Sequence, residues 1–544
     1  MVVKRRPSFR LTRLTQSSNL SRMNARAWRF LLTLLLAIAP VCLHAGGSPQ
    51  EDIPLDSWVY DAVFELSTQG HFTKLLLHTR PYTRGEVAAG IAELSDSGAS
   101  LDPATRFLVE RLRSEFAEEL APGDSAGTTP SADDVRLGAG PNARVDQFRH
   151  GYAKNRIGLD AIGSFATGDH IAARTRVRFD SDGRQDTQFH GEYWKEKFTA
   201  GVDQAVVTGQ FGRFRLVFGR EFWRWGRSPV DAMLISDNSP PFDGLRLSYR
   251  GRNWAFCFHT TMLDPMGTDP SDPDEPFGIA NRYLVGHRFD WRPLHNLEVA
   301  VSEVMVYGGV NRPWALNYLN PILPYYWEQL NNDINDNPLW NLELSWRPRP
   351  GLEFYGEWVI DDFQIDFISE PQQIGLLGGL AWSPATLERR LFINTEYERI
   401  NTFVYGQGRS WNLYVHDRDY TGQAIGIGSN LGTDADRITV RPRYHVSSTL
   451  DLTALAEYVR RGENRIDTPQ AGLVPKGVEF PSGVVERRLT AGLGGHAQMG
   501  AHVVLDFSTG YEKIRNVANA AGSDRQGPFV RVRLWSLWWR TFGV

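Results

Sequence analysis

The dominant feature of residues 156–539 is an alternation of apolar and polar side chains. Around residues 352–361 the apolar positions are Leu352, Phe354, Trp358 and Ile360, and the acidic positions are Glu353, Glu357 and Asp361. The same period of two recurs over residues 452–458 and 503–511. Because successive side chains of a β-strand point to opposite faces, this pattern predicts many strands that each have one apolar and one polar face.

The connections between these segments alternate between short turns and long polar loops. A turn that begins Trp291-Arg292-Pro293 recurs at the same spacing as Trp346-Arg347-Pro348. Further short turns lie near residues 383–388 and 447–448, and the long connections are residues 307–338, 361–372 and 401–436. Barrels of the outer membrane have short turns at one end and long loops at the other.

We therefore predict an all-β, antiparallel transmembrane barrel of about 18 strands, within a range of about 16–18, in residues 141–544. The chain's 17 Trp and 18 Tyr are enough to form aromatic girdles at both membrane interfaces. Two early hairpins, near Thr167 and Thr199, conflict with this scheme because their short connections fall at the end assigned to the long loops.

The segment before the barrel has a helical pattern instead. We predict three helices: one capped by Asp56, one that begins with a capping box of Thr83 and Glu86, and one opened by Asp102 and Pro103. They define a small helical domain in residues 53–120. Residues 121–140, rich in Gly, Ser, Thr, Pro and Asp, are the predicted linker to the barrel.

The start of the chain predicts export. Basic residues precede the apolar residues 30–41, and small residues follow, so we interpret residues 1–45 as a signal peptide, with Met23 as an alternative start to Met1. Cleavage is favoured over lipidation of Cys42 because Pro40 and Val41 precede it. Every later apolar stretch is too short to form a membrane-spanning helix, so strands must hold the protein in the membrane. This places the helical domain in the periplasm of a Gram-negative-type bacterium.

Composition and charge narrow the function classes. With 42% apolar and 12% aromatic residues the chain is not a disordered one, and a net charge of -4 gives no reason to expect a nucleic-acid partner. After signal cleavage only Cys257 remains, so no internal disulfide is expected.

Several loop motifs together carry a resemblance to a known family. They are Pro54-Leu55-Asp56-Ser57-Trp58-Val59-Tyr60, Arg80-Pro81-Tyr82-Thr83-Arg84, Ser236-Asp237-Asn238, Phe242-Asp243-Gly244-Leu245, Asn281-Arg282-Tyr283-Leu284, Gly286-His287-Arg288, Tyr318-Leu319-Asn320-Pro321, Pro324-Tyr325-Tyr326, Asp336-Asn337, Trp340, Asp361-Asp362-Phe363-Gln364 and Asp434-Ala435-Asp436-Arg437. In order and spacing the chain resembles the Wzi family of capsule assembly proteins. The resemblance implies an outer-membrane barrel, plugged by periplasmic helices, whose external face binds capsular polysaccharide and helps to organise it.

The predicted external loops contain side chains suited to glycan binding, since aromatic rings stack on sugar faces and charged or amide groups meet hydroxyls. The candidate binding residues are Trp223, Arg224, Trp225, Arg227, Asp237, Asn238, Trp314, Tyr325, Tyr326, Asn331, Asn332, Asp333, Asp336 and Asn337. The competing interpretation of each is structural: loop aromatics pack into the lumen, and Asn and Asp cap turns. Expected partners are capsular or other surface polysaccharide, outer-membrane lipids and polysaccharide export machinery.

Two other functions stay open at this point. A barrel enzyme would need a carboxylate pair, for which Glu353 with Glu357, or Glu396 with Glu398, are candidates, but no nucleophile or metal motif accompanies them and we expect no catalytic residues. A diffusion channel would need an open lumen, which a helical plug would close. We expect neither cofactor nor metal, because the acidic residues 361–370 lack the spacing of a calcium loop.

Overall fold

The structure is a computed structural model that describes most of the chain after the predicted signal peptide. The described residues are 48–96, 101–120, 133–148, 153–167, 170–181, 193–195, 198–268, 276–332, 335–362, 372–406, 408–418, 423–467, 478–499 and 503–543. The predicted signal peptide, residues 1–45, lies outside these ranges. Within them, every helix is too short or too polar to cross a bilayer.

Strands make up most of the described chain. In chain order they are β1 (Thr79–Arg80), β2 (Asp133–Phe148), β3 (Ala153–Thr167), β4 (Ile171–Asp180), β5 (Tyr193–Lys195), β6 (Phe198–Phe211), β7 (Phe214–Glu221), β8 (Arg224–Trp225), β9 (Phe242–Arg250), β10 (Trp254–Gly267), β11 (Ile279–Leu294), β12 (Leu297–Val310), β13 (Asn337–Arg349), β14 (Leu352–Asp362), β15 (Gln373–Trp382), β16 (Leu391–Ile400), β17 (Val415–Arg418), β18 (Ala424–Gly426), β19 (Ala435–Ser447), β20 (Leu450–Arg461), β21 (Glu486–Met499), β22 (Val503–Arg515), β23 (Arg525–Ser536) and β24 (Trp538–Gly543).

These strands close into one antiparallel barrel. Each barrel strand pairs with its neighbours along the chain, and β2 closes the ring by pairing with β23 through residues 142–148 and with β24 through residues 134–139. Because β24 continues β23 and β5 is a short piece beside β6, the described residues form eighteen wall strands. The predicted fold class and strand number are confirmed.

The predicted alternation places apolar side chains outside and polar ones inside. Phe354 and Trp358 are 43% and 36% exposed on the outer face, while Glu353 and Glu357, each one residue earlier, are buried in the lumen. An apolar outer band and a polar interior are what a bilayer requires of a barrel, because the outer side chains contact lipid.

The first wall strand corrects the predicted linker. β2 begins at Asp133, inside residues 121–140, so the barrel starts eight residues earlier than predicted. This extra strand also removes the conflict at the early hairpins. The turn after Thr167 now lies at the same end as the other short turns. At the opposite end, β4 ends at Asp180 and β6 begins at Phe198, so the connection before Thr199 is long.

Three helices precede the barrel: α1 (Val59–Thr68), α2 (Arg84–Asp96) and α3 (Pro103–Glu115). They pack around a shared apolar core that includes Val63, Val87 and Leu112. The predicted capping box is present, since the Thr83 N–H donates to Glu86 Oε2 at 2.9 Å and the Glu86 N–H donates to Thr83 Oγ1 at 3.1 Å. The predicted cap at Asp56 is wrong. Trp58 precedes α1, and Asp56 pairs with Arg176 of the wall at 3.2 Å.

Residues 48–120, the helical region, contact the short-turn end of the barrel. The Gly351 N–H donates to the Thr68 carbonyl at 2.8 Å, and Arg389 Nε donates to Asp102 at 2.8 Å. Because Gly351 and Arg389 belong to two different short turns, the helical region is fixed at several points of the rim.

The repeated Trp-Arg-Pro turn explains part of this attachment. Arg292 of the first copy donates to the carbonyls of Thr73 and Leu75, and Arg347 of the second copy donates to the Ser67 carbonyl. Both arginines lie at the rim, where a guanidinium group can satisfy carbonyls that end a helix or a turn. The repeat is therefore a pair of docking contacts for the helical region.

Replacing both Arg292 and Arg347 with alanine is expected to loosen the helical region without unfolding the barrel. Hydrogen bonds to charged donors contribute roughly 1.5–3 kcal/mol each, so the detached form should become at least about tenfold more populated. The readout is the rate of trypsin cleavage after Lys74, followed by mass spectrometry on refolded protein. Arg349→Ala, an exposed arginine on the same turn, is the matched control. An unchanged cleavage rate in the double variant would contradict the docking role.

Candidate functional site

The first predicted binding loop, residues 222–241, enters the lumen instead of lying over its external mouth. Its strand β8 pairs with β1 of the helical region, with Thr79 opposite Trp225 and Arg80 opposite Arg224. The Gly226 N–H donates to the His78 carbonyl at 2.8 Å. This luminal loop therefore joins the helical region by backbone pairing.

The aromatic candidates of the luminal loop are core residues. Trp223 and Trp225 are 2% and 1% exposed. Trp223 stacks on Phe242 with ring centroids 5.1 Å apart, and both tryptophans contact the His259 ring. Buried aromatic rings of this kind stabilise a core, and they are not accessible to a polymer outside the barrel.

The charged candidates of the luminal loop hold the fold together. Arg224 donates to Asp237 at 2.6 Å and to the Ser228 carbonyl at 2.7 Å. Arg227 donates through Nε and Nη2 to Glu353 at 2.6 and 2.9 Å. Burial opposes the charge of Arg227, but the carboxylate of Glu353 outweighs this effect and raises the pKa of Arg227 above its usual value.

The second predicted binding loop, in the long connection of residues 307–338, contains both buried structural residues and exposed residues. Asp336 is buried and accepts from Arg312 at 2.8 Å and from the Tyr318 hydroxyl at 2.8 Å, and the Asn337 amide donates to the Asn412 carbonyl at 2.8 Å. Tyr325 is fully buried.

The remaining candidates of this loop lie on or near a short helix, α4 (Tyr325–Asn332). Trp314 and Asn331 are exposed, and Tyr326 is half-buried. The Asn332 side chain and Asp333 lie outside the described part of the chain. The buried part of this segment packs on the outer face of the barrel wall, so it does not share a surface with the luminal loop.

An open cleft lies at the end of the barrel opposite the helical region. It has a volume of about 490 Å³ and is formed by residues 423–433, residues 461–467 and Asn238. Polar side chains predominate at its surface: Asn238, Gln423, Ser429, Asn430, Thr433, Arg461, Asn464, Arg465 and Asp467. Of the predicted binding residues, Asn238 alone lines this external cleft within the described chain.

Buried carboxylates hold the walls of the external cleft. Asp231 of the luminal loop accepts from Ser429 Oγ at 2.9 Å and from the Asn430 N–H at 3.1 Å. Asp434 accepts from the Asn464 N–H at 3.2 Å and from the Ser482 N–H at 3.0 Å. The sequence motif Asp434-Ala435-Asp436-Arg437 could have indicated this site. Asp434 ends one external loop and bonds to the backbone of another.

The cleft presents hydrogen-bonding groups that are suited to sugars. Arg461 Nε is buried and has no hydrogen-bond partner among the described residues. Arg465 Nη2 donates to Asn519 at 3.0 Å, next to the cleft. Guanidinium and amide groups can donate to hydroxyl and carboxylate oxygens, so this surface can bind a polar, oxygen-rich chain.

The carboxylate pairs considered for catalysis are engaged inside the barrel. Glu353 pairs with Arg227, Glu357 accepts from the Met233 N–H at 3.0 Å, and Glu398 pairs with Arg437 at 2.5 Å. Glu396 accepts from Ser228 at 2.7 Å. Each of these carboxylates is buried: Glu353, Glu357 and Glu396 bond to the luminal loop, and Glu398 bonds to the neighbouring wall strand.

The described residues contain no group of three or more His, Cys, Asp or Glu side chains arranged to hold a metal ion. Asp361, from the acidic segment, accepts from the Tyr405 N–H at 2.6 Å. Most of residues 361–370 lie outside the described ranges.

The chain is similar to several solved structures. Wzi of Escherichia coli, an outer membrane protein involved in group 1 capsule assembly and a carbohydrate-binding β-barrel, shares 15% identity at a TM-score of 0.57, over 88% of this chain and 98% of that chain. OccAB4 of Acinetobacter baumannii shares 11% identity at 0.42, over 76% and 100% of the two chains. The outer membrane protein opdK of Pseudomonas aeruginosa shares 12% at 0.42, over 75% and 99%.

The sequence itself matches a family model. No curated protein sequence matches the chain significantly. The model of the capsule assembly protein Wzi matches residues 134–527, which extend from the first residues of β2 into β23 and include most of the barrel. The chain therefore belongs to the Wzi family of capsule assembly proteins.

Proposed function

We propose that this protein is an outer-membrane barrel that binds surface polysaccharide in its external cleft and assists the assembly and attachment of a capsule or exopolysaccharide. The observation that carries the proposal is the cleft of about 490 Å³, which opens at the end opposite the helical region and is lined by amide and guanidinium groups. Family membership and the carbohydrate-binding neighbour support the same ligand class.

The proposed contacts differ from those predicted from sequence. Asn238 is retained, and Arg461, Asn464 and Arg465 are added. The buried candidates Trp223, Trp225, Arg227 and Tyr325 act through the fold. Trp314, Tyr326 and Asn331 remain candidates only for a ligand that reaches the outer wall.

The test is to replace Asn238 and Arg461 together with alanine. Loss of a charge-assisted hydrogen bond from Arg461 costs roughly 1.5–3 kcal/mol and loss of a neutral one from Asn238 roughly 0.5–1.5 kcal/mol, so binding of isolated polysaccharide to the purified protein should weaken at least about tenfold. On cells, bound polysaccharide should fall and shed polysaccharide should rise at constant total synthesis. Arg349→Ala, an exposed arginine on a short turn at the opposite end of the barrel, is the control. Unchanged binding by a correctly assembled double variant would reject the cleft as the binding site.

The rival functions make different predictions. The lumen contains an apolar core that joins Phe64 of α1, Trp225 of the luminal loop and Val304 of the wall. A lumen filled in this way favours low conductance over a diffusion channel. We also propose a binding role without catalysis, so purified protein should release no new reducing ends from the polysaccharide. Export machinery remains a proposed partner on the helical side.

A further inference from the structure

The outer face of β11 and β12 is covered by a segment from an external loop. The lumen-facing positions of these strands include Leu284 and Val304, which belong to the core inside the barrel. The alternate positions point outward, and two of them, Phe289 and Val301, are exposed as expected for lipid contact. Further along the same outer face, the outward residues become buried although they are still on the outside of the wall.

Aromatic stacking accounts for this burial. Tyr283 and Tyr307 are cross-strand partners whose rings stack at 5.0 Å. Tyr318 of the loop contacts Tyr307 at 4.8 Å, and Tyr325 of α4 contacts His287 at 4.6 Å. Residues 311–332, the outer-wall segment, therefore fold back along the barrel instead of extending away from it.

An outward carboxylate fixes α4 in this position. Glu303 lies on the outer face, with Val301 two residues before it and Trp340 opposite it. It accepts from the N–H groups of Tyr325 and Tyr326 at 2.9 and 2.8 Å, and from Trp340 Nε1 at 2.9 Å. A carboxylate on a lipid-facing wall is costly unless it is hydrogen-bonded, and the first turn of α4 supplies two of these bonds.

The height of Glu303 places this contact within the apolar band. Trp291 lies at the rim on the helical side and pairs with Val299, which is four residues before Glu303. With a rise of about 3.3 Å per residue and a tilt of about 40°, Glu303 lies about 10 Å further along the membrane normal. The apolar band of such barrels is about 25 Å tall.

Large apolar side chains predominate on the outward surface of the outer-wall segment, where Asn311, Asn320 and Asn331 are the exposed polar residues among those described. Leu316, Ile322 and Trp327 are 82%, 78% and 62% exposed, and Leu330 is also exposed. Several large apolar side chains exposed together would be unusual for a loop that contacts water outside the cell. Some of its polar groups are paired locally, since the Asn317 amide donates to Glu328 at 3.0 Å, whereas the Tyr325 hydroxyl and Gln329 Oε1 are buried without a hydrogen-bond partner among the described residues.

We propose that the outer-wall segment is embedded in the outer leaflet and binds the acyl chains of outer-leaflet lipids. The segment continues the lipid-facing surface of Phe289, Val301 and Leu342, which is the reason to choose lipid as its occupant. The inference is independent of the polysaccharide site, because it depends on other residues and on the outer side of the wall.

The test places a nitroxide spin label at residue 316 through Leu316→Cys, in the mature protein whose Cys257 is replaced with serine. The protein is reconstituted in vesicles of phospholipid and lipopolysaccharide. Collision rates with oxygen, which partitions into lipid, and with a water-soluble nickel chelate are then measured. Leu342→Cys is the lipid-facing reference, and Ser523→Cys, on an exposed external turn, is the aqueous reference.

We expect the oxygen-to-nickel ratio at residue 316 to match that of residue 342. A ratio like that of residue 523 would overturn the proposal, since the segment would then be in water. Protection from both reagents, with spin–spin broadening, would also overturn it, because a second copy of the chain would then be the occupant. The same labels at Ile322→Cys and Leu330→Cys show whether the whole segment behaves alike.

Discussion

Replacing Arg227 with methionine is expected to lower the free energy of unfolding by about 3–5 kcal/mol, the usual cost of removing one partner of a buried ion pair. Arg227 contacts three parts of the molecule at once. It pairs with Glu353 of the wall, donates to Ser67 Oγ of α1 at 2.8 Å, and its guanidinium group lies 4.2 Å from the centre of the Phe64 ring. Without it, the buried Glu353 carboxyl would lose its charged partner and keep the Thr68 hydroxyl as a donor.

The measurement is a guanidinium chloride titration of the refolded protein in detergent micelles, followed by tryptophan fluorescence. The matched control is the double variant Arg227→Met with Glu353→Met. Because apolar side chains of similar volume can replace a buried ion pair at little cost, this variant should recover most of the lost stability. A loss below about 1 kcal/mol in the single variant would show that the contact does not hold the plug.

Replacing Arg282 with alanine is expected to release residues 408–418 from the external end while the wall stays folded. Arg282 is buried and donates to the carbonyls of Trp411, Leu413 and Val415 at 3.0, 2.7 and 2.6 Å. Each carbonyl left without a donor costs about 1–3 kcal/mol. The Leu413 carbonyl keeps a bond from the Val415 N–H at 2.7 Å, so the bonds lost at Trp411 and Val415 are expected to free the loop.

Hydrogen exchange of peptides that cover residues 408–418 measures this effect. Their amides should exchange on the order of 100-fold faster, whereas those of β12 should keep their protection. Arg282→Lys should give an intermediate result, because an ammonium group has three donors but lacks the planar geometry of guanidinium. Equal protection in the alanine variant and the natural protein would mean that other contacts suffice to hold the loop.

The strand pattern could be predicted because the outer and inner faces of the wall meet opposite solvents. Where that contrast is diluted, the sequence is less informative. β2 contains Gly138, Gly140 and Pro141, which weaken the alternation and resemble a linker. Pro141 is tolerated because β2 changes partners there, from β24 to β23, and proline lacks the N–H that a continuous ladder needs.

The binding residues were harder to predict, because the same residue types serve a plug and a glycan site. Arg224 and Trp225 form β8, which pairs with β1, a strand far away in the sequence. Their burial depends on this pairing, which local sequence patterns do not reveal. Gly226 illustrates the close fit: its φ is +145°, and a Cβ there would lie 2.4 Å from Glu357 Oε1. The external cleft was missed because its lining comes from separate loops.

Asp231 connects the external cleft to the rest of the molecule, and this has a mechanical consequence. It accepts from Arg437 of the wall at 2.9 Å as well as from Ser429 of the cleft, and the luminal loop that contains it pairs with β1 of the helical region. A polymer bound in the proposed cleft and pulled by flow across the cell would therefore exert its tension on a continuous bonded path through the barrel. The force would be shared by the wall and the helical region, so attachment of the polymer would not depend on the strength of a single surface loop.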